Sequence, residues 1–561
     1  MVNRNFSELN NKWFCFSIIL ILSIIHYVRY SIHNDYHSDQ GFYTSSIFAI
    51  YEGSLVLPLW GDWAKISDFN FIHGVVNVPF QALCLKILGV DNWYWFFWVS
   101  NCIISFFIIY CSFKITRANT NTLLATFIIL FLILDPTMFL LIRFLRSDLL
   151  LILFFTITVI LLYKFVCTEK KRFLFLSGIM TGITILTFVQ GASIVVGSSL
   201  VLLFHSKEIS VKCRNFLLYY LAFFLTMLPF IFLVIFDETI YQAIIMQMHM
   251  GTEHKGESNF LTLMKILGTP FSSLLISGRS FTSFFAIAIL VRFVIYFKDR
   301  DTRFFGLMII SNLVVLAMAH KLNCLRIACI APISIIGVFL IFKNNYEQML
   351  KYLSFSALII VLSYMFAYLA DPDVFPHLTI LSLLIIPIYY FYLRFKETEI
   401  HAREIIFLFS IFLVLSAVNI TKYQILNTVG KPDVFHKKGV EVISETLEKR
   451  FSGDKVTIFV KPNTFKFFPK SINTKTSSLL YHPKYFNYWG SYKKLDESIK
   501  PDFIVVPLEN YSSMMERPEP REYIEKYFTS EKSIVIDRLI TFRVLKRNVL
   551  SVEEDIRIEL K

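Results

Sequence analysis

Apolar runs of about 15 to 22 residues, separated by short clusters of Lys and Arg, recur along the chain between residues 13 and 420. A bilayer's hydrocarbon core is about 30 Å thick and takes roughly 20 apolar residues in helical form, so each run predicts a helix that crosses it. The predicted spans are 13–30, 93–113, 121–134, 147–165, 215–236, 282–297, 304–319, 327–342, 352–370, 374–393 and 404–420. Residues 173–204 are too many for one span and few for two, and both flanks are basic, with Lys170, Lys171 and Arg172 before and Lys207, Lys212 and Arg214 after. Equal charge at both ends predicts a tight hairpin that turns near Gln190-Gly191 on the opposite side. The sum is about thirteen crossings.

The charges then orient the spans. Bases between spans stay on the cytoplasmic side, and here Lys114 and Arg117, Lys170 to Arg172, Lys298 to Arg303, and Lys343 mark that side. Residues 1–12, with Arg4 and Lys12 and no small-residue cleavage site after the first apolar run, predict a cytoplasmic amino end on an uncleaved signal anchor. The loop 31–92 carries Asp35, Asp39, Glu52, Asp62, Asp68 and Asp91 against Lys65 and Lys86, and is expected outside. The odd number of spans leaves the carboxyl end outside as well. In the tail, 431–561, charged residues become frequent and apolar runs shorten. Helical spacing over 438–451 and strand patterns at 456–460, 503–506 and 533–544 predict a small extracytoplasmic α/β domain. The whole is an all-α polytopic membrane domain, 13–420, followed by that domain.

Composition agrees, at 55% hydrophobic and 17% charged residues. The net charge of +13 lies in the clusters between spans, where it orients a membrane protein, and this argues against a nucleic-acid surface. The eight cysteines offer neither a disulfide framework nor a CxxC metal spacing.

With sides assigned, the chemistry gathers on the outer face. Asp39 stands just past the first span, where a carboxylate meets water with hydrocarbon behind it, a position suited to a lipid-borne substrate. His37, Gln40, Tyr43 and His73 share its loop and are candidate helpers. Arg143, Arg146 and Asp148 lie at the mouth of the fourth span. Charges at span ends are costly unless wet or paired. The arginines either snorkel beside a local ion pair or hold an anionic head group such as a lipid phosphate. Lys321 and Arg326, beside His320, are a second phosphate-binding candidate. His249, Glu253 and His254 carry usual metal-ligand groups, but their spacing aligns poorly on a helix. A divalent cation therefore stays open as a cofactor, and no other cofactor is implied.

The stretch Asp39-Gln40-Gly41-Phe42-Tyr43, then Tyr51-Glu52-Gly53, His73-Gly74 to Pro79 and Leu88-Gly89-Val90 before a Trp/Phe-rich span, resembles the first external loop of the GT-C membrane glycosyltransferases. The branch in question holds protein O-mannosyltransferases and aminoarabinose transferases. The likeness continues through Arg146-Ser147-Asp148-Leu149-Leu150 and Ser177-Gly178-Ile179-Met180-Thr181-Gly182, and weakens after about residue 205. The resemblance implies a polyprenyl-phosphate sugar donor, an acceptor that is a cell-surface glycan, lipid or protein, and an integral bacterial inner-membrane enzyme of the cell envelope. It implies a general-base role for Asp39 and a second acid at Asp148. Two departures bear on that: many members have Asp-Glu where this chain has Asp39-Gln40, and many have a Lys near the hairpin where it has Phe188-Val189-Gln190.

Two other classes fit a polytopic chain with interfacial acids. An O-antigen polymerase or ligase has its long external loop late, whereas here the longest loop between spans comes first. A transporter or lipid flippase often shows inverted repeats and broken midplane spans, and neither is evident.

Overall fold

The structure is a computed structural model that describes residues 75–88, 93–119, 122–133, 147–236, 281–318, 328–343, 345–370, 383–401, 404–408, 410–411, 457–460, 473–476, 502–516, 518–536 and 540–548, with single residues 47, 50, 135, 138 and 141. The first part is a helical bundle. In chain order it contains α1 (Asn77–Leu88), α2 (Trp93–Asn119), α3 (Thr122–Ile133), α4 (Asp148–Thr168), α5 (Lys171–Thr187), α6 (Ala192–His205) and α7 (Ile209–Phe236). After these come α8 (Phe281–Ile295), α9 (Arg300–Met318), α10 (Ala331–Phe342), α11 (Tyr346–Ala370) and α12 (Ile385–Phe395). Among the described residues Val99–Ala118 of α2, all of α4 and all of α7 are long and apolar enough to cross a membrane, while α1, α6, α8 and α10 are shorter apolar helices.

Most of these helices overlie the predicted spans, and the hairpin over 173–204 turns at a 3-10 helix, Val189–Gly191. The first span, 13–30, lies outside the described residues. Helix α1 is a structural addition, because it falls inside the stretch read as the loop 31–92. Its Asn77, Gln81 and Lys86 interrupt an otherwise apolar run, and Pro79 is tolerated because it sits in the first turn.

The centre of the bundle is α10, apolar on every side and buried almost throughout, packed against α2, α3, α4, α8 and α9. At the edge, α7 leaves Leu217, Leu221, Phe224, Leu225, Leu228 and Phe232 exposed, the kind of surface a bilayer covers. Its attachment is a narrow seam against α5. A Cβ on Gly178 would stand 2.4 Å from the Tyr219 carbonyl oxygen, and one on Gly182 would stand 2.7 Å from the Thr226 Cβ. Two helices approach this closely in an apolar medium only where small residues face each other. Hydroxyls complete the seam: Thr181 Oγ1 and the buried Tyr219 hydroxyl lie 2.8 Å apart, and Thr181 Oγ1 also donates to the Ser177 carbonyl.

One end of the bundle is basic. The ends of α4 and α6 and the start of α9 meet there, bringing Val166, His205, Arg300 and Arg303 around one small pocket. At the same end Arg292 of α8 donates from Nε to Thr302 Oγ1 at 3.0 Å and from Nη1 to Gln348 Oε1 at 2.6 Å, and its guanidinium lies 4.5 Å from the Phe342 ring centre. Asp299 accepts the Thr302 N–H at 3.0 Å, filling one of the donors that the start of α9 leaves open.

The second part is a five-stranded mixed sheet in the order β2-β1-β3-β5-β4. Its strands are β1 (Thr457–Val460), β2 (Asn473–Thr476), β3 (Phe503–Pro507), β4 (Phe528–Ile536) and β5 (Ile540–Arg547), with α13 (Leu508–Met515) and α14 (Pro518–Tyr527) between β3 and β4. Strand β1 pairs in parallel with β2 and β3, and β5 pairs antiparallel with β3 and β4. Ile504, Val506, Met514, Tyr523, Ile524, Phe528 and Leu545 form a small core. The expected strand over 533–544 is instead the inner half of a hairpin, since the pattern continues through Asp537-Arg538-Leu539 without a Gly or Pro to mark the turn. The helical spacing at 438–451 lies outside the described residues.

Gly178→Ala tests the seam. Alanine raises helix propensity by up to about 1 kcal/mol, but overpacking against a backbone oxygen costs about 1–3 kcal/mol. The variant is therefore expected to unfold at a lower temperature than the parent in a detergent-solubilised thermal melt. An equal or higher midpoint would show that the seam is looser than its distances indicate.

Candidate functional site

Asp148 is the predicted site residue that the described structure contains. It is the first residue of α4, 1% exposed, and follows Ser147, which is also buried. Its carboxylate therefore sits at the helix end where N–H groups and the macrodipole favour negative charge. Asp39, His37, Gln40, Tyr43, His73, Arg143, Arg146, Lys321 and Arg326 lie outside the described residues, as do His249, Glu253 and His254. Among the described residues no group of three His, Cys, Asp or Glu side chains could hold a metal ion.

The register of α4 against α5 decides what faces Asp148. These helices are antiparallel, joined by residues 169–170, and Thr158 Oγ1 lies 3.4 Å from Thr184 Oγ1. Asp148 stands about 15 Å from Thr158 along α4. The same rise along the partner runs past its last residue, Thr187, so Asp148 and the 3-10 turn Val189–Gly191 lie toward the same end of the bundle, opposite the basic one.

The turn is folded tightly back on α5. Gly191 donates its N–H to the Phe188 carbonyl at 2.8 Å, and a Cβ on Gly191 would stand 2.7 Å from the Thr184 carbonyl oxygen. Glycine is required there by space. The start of α1 joins the same place through the Val76 N–H, which donates to the Leu186 carbonyl at 3.3 Å.

Four neutral amide side chains collect around this end. Asn77 is completely buried and Gln190 is 7% exposed, and neither atom of either amide has a hydrogen-bond partner. Gln81, one turn on from Asn77, accepts from Ser100 Oγ, while its Nε2 has no partner. Asn312 of α9 donates to Ser193 Oγ at 2.8 Å, and its Oδ1 has no partner. Sequence reading missed Asn77, Gln81 and Asn312 and registered Gln190 only as part of the hairpin turn and as a departure from a family pattern. The available signal was an amide within an apolar run, which is costly in a membrane bundle unless it finds a partner.

Nearby, Asp135 anchors the start of α8. Its Oδ2 accepts from both the N–H and the hydroxyl of Thr282 at 2.9 Å, and its Oδ1 accepts the Met138 N–H at 3.2 Å. Asp135→Ala is expected to lower stability by about 2–5 kcal/mol, because several buried donors lose their acceptor at once. Asp135→Asn is expected to cost less, and denaturant unfolding of the two variants measures the difference.

No family model matches this sequence, and no curated protein matches it by sequence. Solved structures do match by fold. ArnT from Cupriavidus metallidurans bound to undecaprenyl phosphate is similar at a TM-score of 0.60, with 12% identity, over 94% of this chain and 97% of that one. The apo state of the same protein is similar at 0.56, again with 12% identity and the same coverage. The chain shares the fold of that protein.

Proposed function

We propose that this chain is a GT-C membrane glycosyltransferase that moves a sugar from a polyprenyl-phosphate donor to a glycan, lipid or protein at the cell surface. The observation that carries this reading is the fold shared over 94% of the chain with a protein that holds undecaprenyl phosphate. The bundle then lies in the bacterial inner membrane with its basic end and amino terminus cytoplasmic, and with the Asp148 end and the carboxyl-terminal sheet outside.

Asp39 acts as the general base. It takes the proton of the acceptor hydroxyl as that oxygen attacks the anomeric carbon. The bond from that carbon to the lipid phosphate breaks, and the phosphate leaves with the electron pair. One displacement of this kind inverts the anomeric centre and passes through an oxocarbenium-like state. Arg143, Arg146, Lys321 and Arg326 are the groups assigned to the charge that grows on the departing phosphate. Asp148, buried at the start of α4, orients the sugar end of the donor.

A positioned carboxylate base contributes roughly 10²- to 10⁴-fold. Asp39→Asn is accordingly expected to lose the surface-glycan modification that a deletion strain loses, with membrane insertion and expression unchanged. Wild-type glycans in the Asp39→Asn strain would remove the proposed base.

A further inference from the structure

We infer that the neutral amides of Asn77 and Gln190 form a subsite for the hydroxyl groups of a sugar ring, at the end of the bundle where Asp148 begins α4. The inference rests on the proposed function and adds to it the part of the ligand that is read and the residues that read it.

A buried amide without partners forfeits about 1–3 kcal/mol for each unmatched group, and native structures keep few of them without a reason. Asn77 and Gln190 together leave two donor groups and two acceptor oxygens unmatched, and the Val76–Leu186 backbone bond and the folded-back turn bring their chain segments to one place. Single hydroxyls without a partner occur elsewhere in the bundle, at Ser105, Thr156 and Ser334 for example, but among the described residues only Asn77 and Gln190 have both amide atoms unmatched. They sit on different elements, toward the end of the bundle where Asp148 begins α4.

The chemistry of the set selects the ligand. Each amide offers a donor and an acceptor, and a hydroxyl uses one of each, so a ring bearing adjacent hydroxyls can match both side chains. A phosphate offers only acceptors and would leave the amide oxygens Oδ1 of Asn77 and Oε1 of Gln190 unmet. An alkyl chain would meet none of the four. Gln81 Nε2 and Asn312 Oδ1 extend the same mixed character to the neighbouring helices. A site with this pattern rejects analogues that lack the hydroxyl, because its own groups are then left bare.

The purified full-length protein in lipid nanodiscs carries the test, with decaprenyl phosphate, decaprenyl-phosphate hexoses (mannose, glucose, galactose) and the corresponding methyl hexosides as probes. Thermal unfolding is followed for the parent, for Asn77→Leu and Gln190→Leu, and for Asp39→Asn. A sugar-bearing probe is expected to bind the parent more tightly than its sugar-free counterpart. That preference is expected to fall about 3- to 10-fold in each Leu variant, while binding of decaprenyl phosphate stays unchanged. Preference for a lipid-linked hexose assigns the ring to the donor, and preference for a methyl hexoside assigns it to the acceptor.

Leu variants that melt higher than the parent and keep its sugar preference would overturn the inference, leaving the amides as hosts of ordered water. Absence of any sugar preference in the parent would overturn it too. In both cases loss of glycan transfer in Asp39→Asn would leave the glycosyltransferase reading standing. A parent that binds neither decaprenyl phosphate nor its hexoses, with Asp39→Asn cells unchanged, would end both.

Discussion

The near-contact of α5 with α7, against the α7 backbone at Gly178 and against the Thr226 side chain at Gly182, governs the rest of the bundle. In hydrocarbon there is no water to drive helices together, so association rests on close packing and on hydrogen bonds between side chains. Apart from Leu174, the buried residues of α5 are accordingly glycine, serine and threonine, and their hydroxyls either return to their own helix or meet Thr158 and Tyr219. This seam sets the height of α5 relative to α4 and α7. The height of α5 in turn sets where its terminal turn stands relative to Asp148.

The two ends of the bundle are built from different chemistry. The basic end is held by charge and aromatic faces, with Arg292 joining α8 to α9, α10 and α11 in one cluster. The opposite end is held by short neutral bonds and by the Asp135 carboxylate at the start of α8. Fixed positive charge suits an interface with water and anionic lipid. Neutral amides and buried carboxylates are groups that need hydrogen-bond partners once they are held out of water.

Much of the helical part could be read from residue order because the apolar runs and basic clusters repeat the same physical message. The hairpin at Gln190-Gly191 is the clearest case: equal charge at both flanks left no other way to thread 32 or so apolar residues. Helix α1 was hidden because its Asn77, Gln81 and Lys86 lower its apolar character below that of a span, so it passed for loop. The β4–β5 hairpin was hidden for the opposite reason, an uninterrupted strand pattern with no turn residue. Of the candidate site, Asp148 was visible from its position at a span mouth. The amides were not, since a lone Asn or Gln carries no motif, and only the three-dimensional arrangement shows that their partners are missing.

Helix α7 turns most of its surface away from the bundle, with 17% of its apolar window buried inside the protein. Its grip on the remainder runs chiefly through the single stripe facing α5. In mechanical terms it is an outrigger: pulling force or a harsh detergent peels it away before the central α10 is disturbed. Because its inner stripe also braces α5, its departure would let the hairpin tilt, and the Val189–Gly191 turn would lose its placement while the core stayed folded.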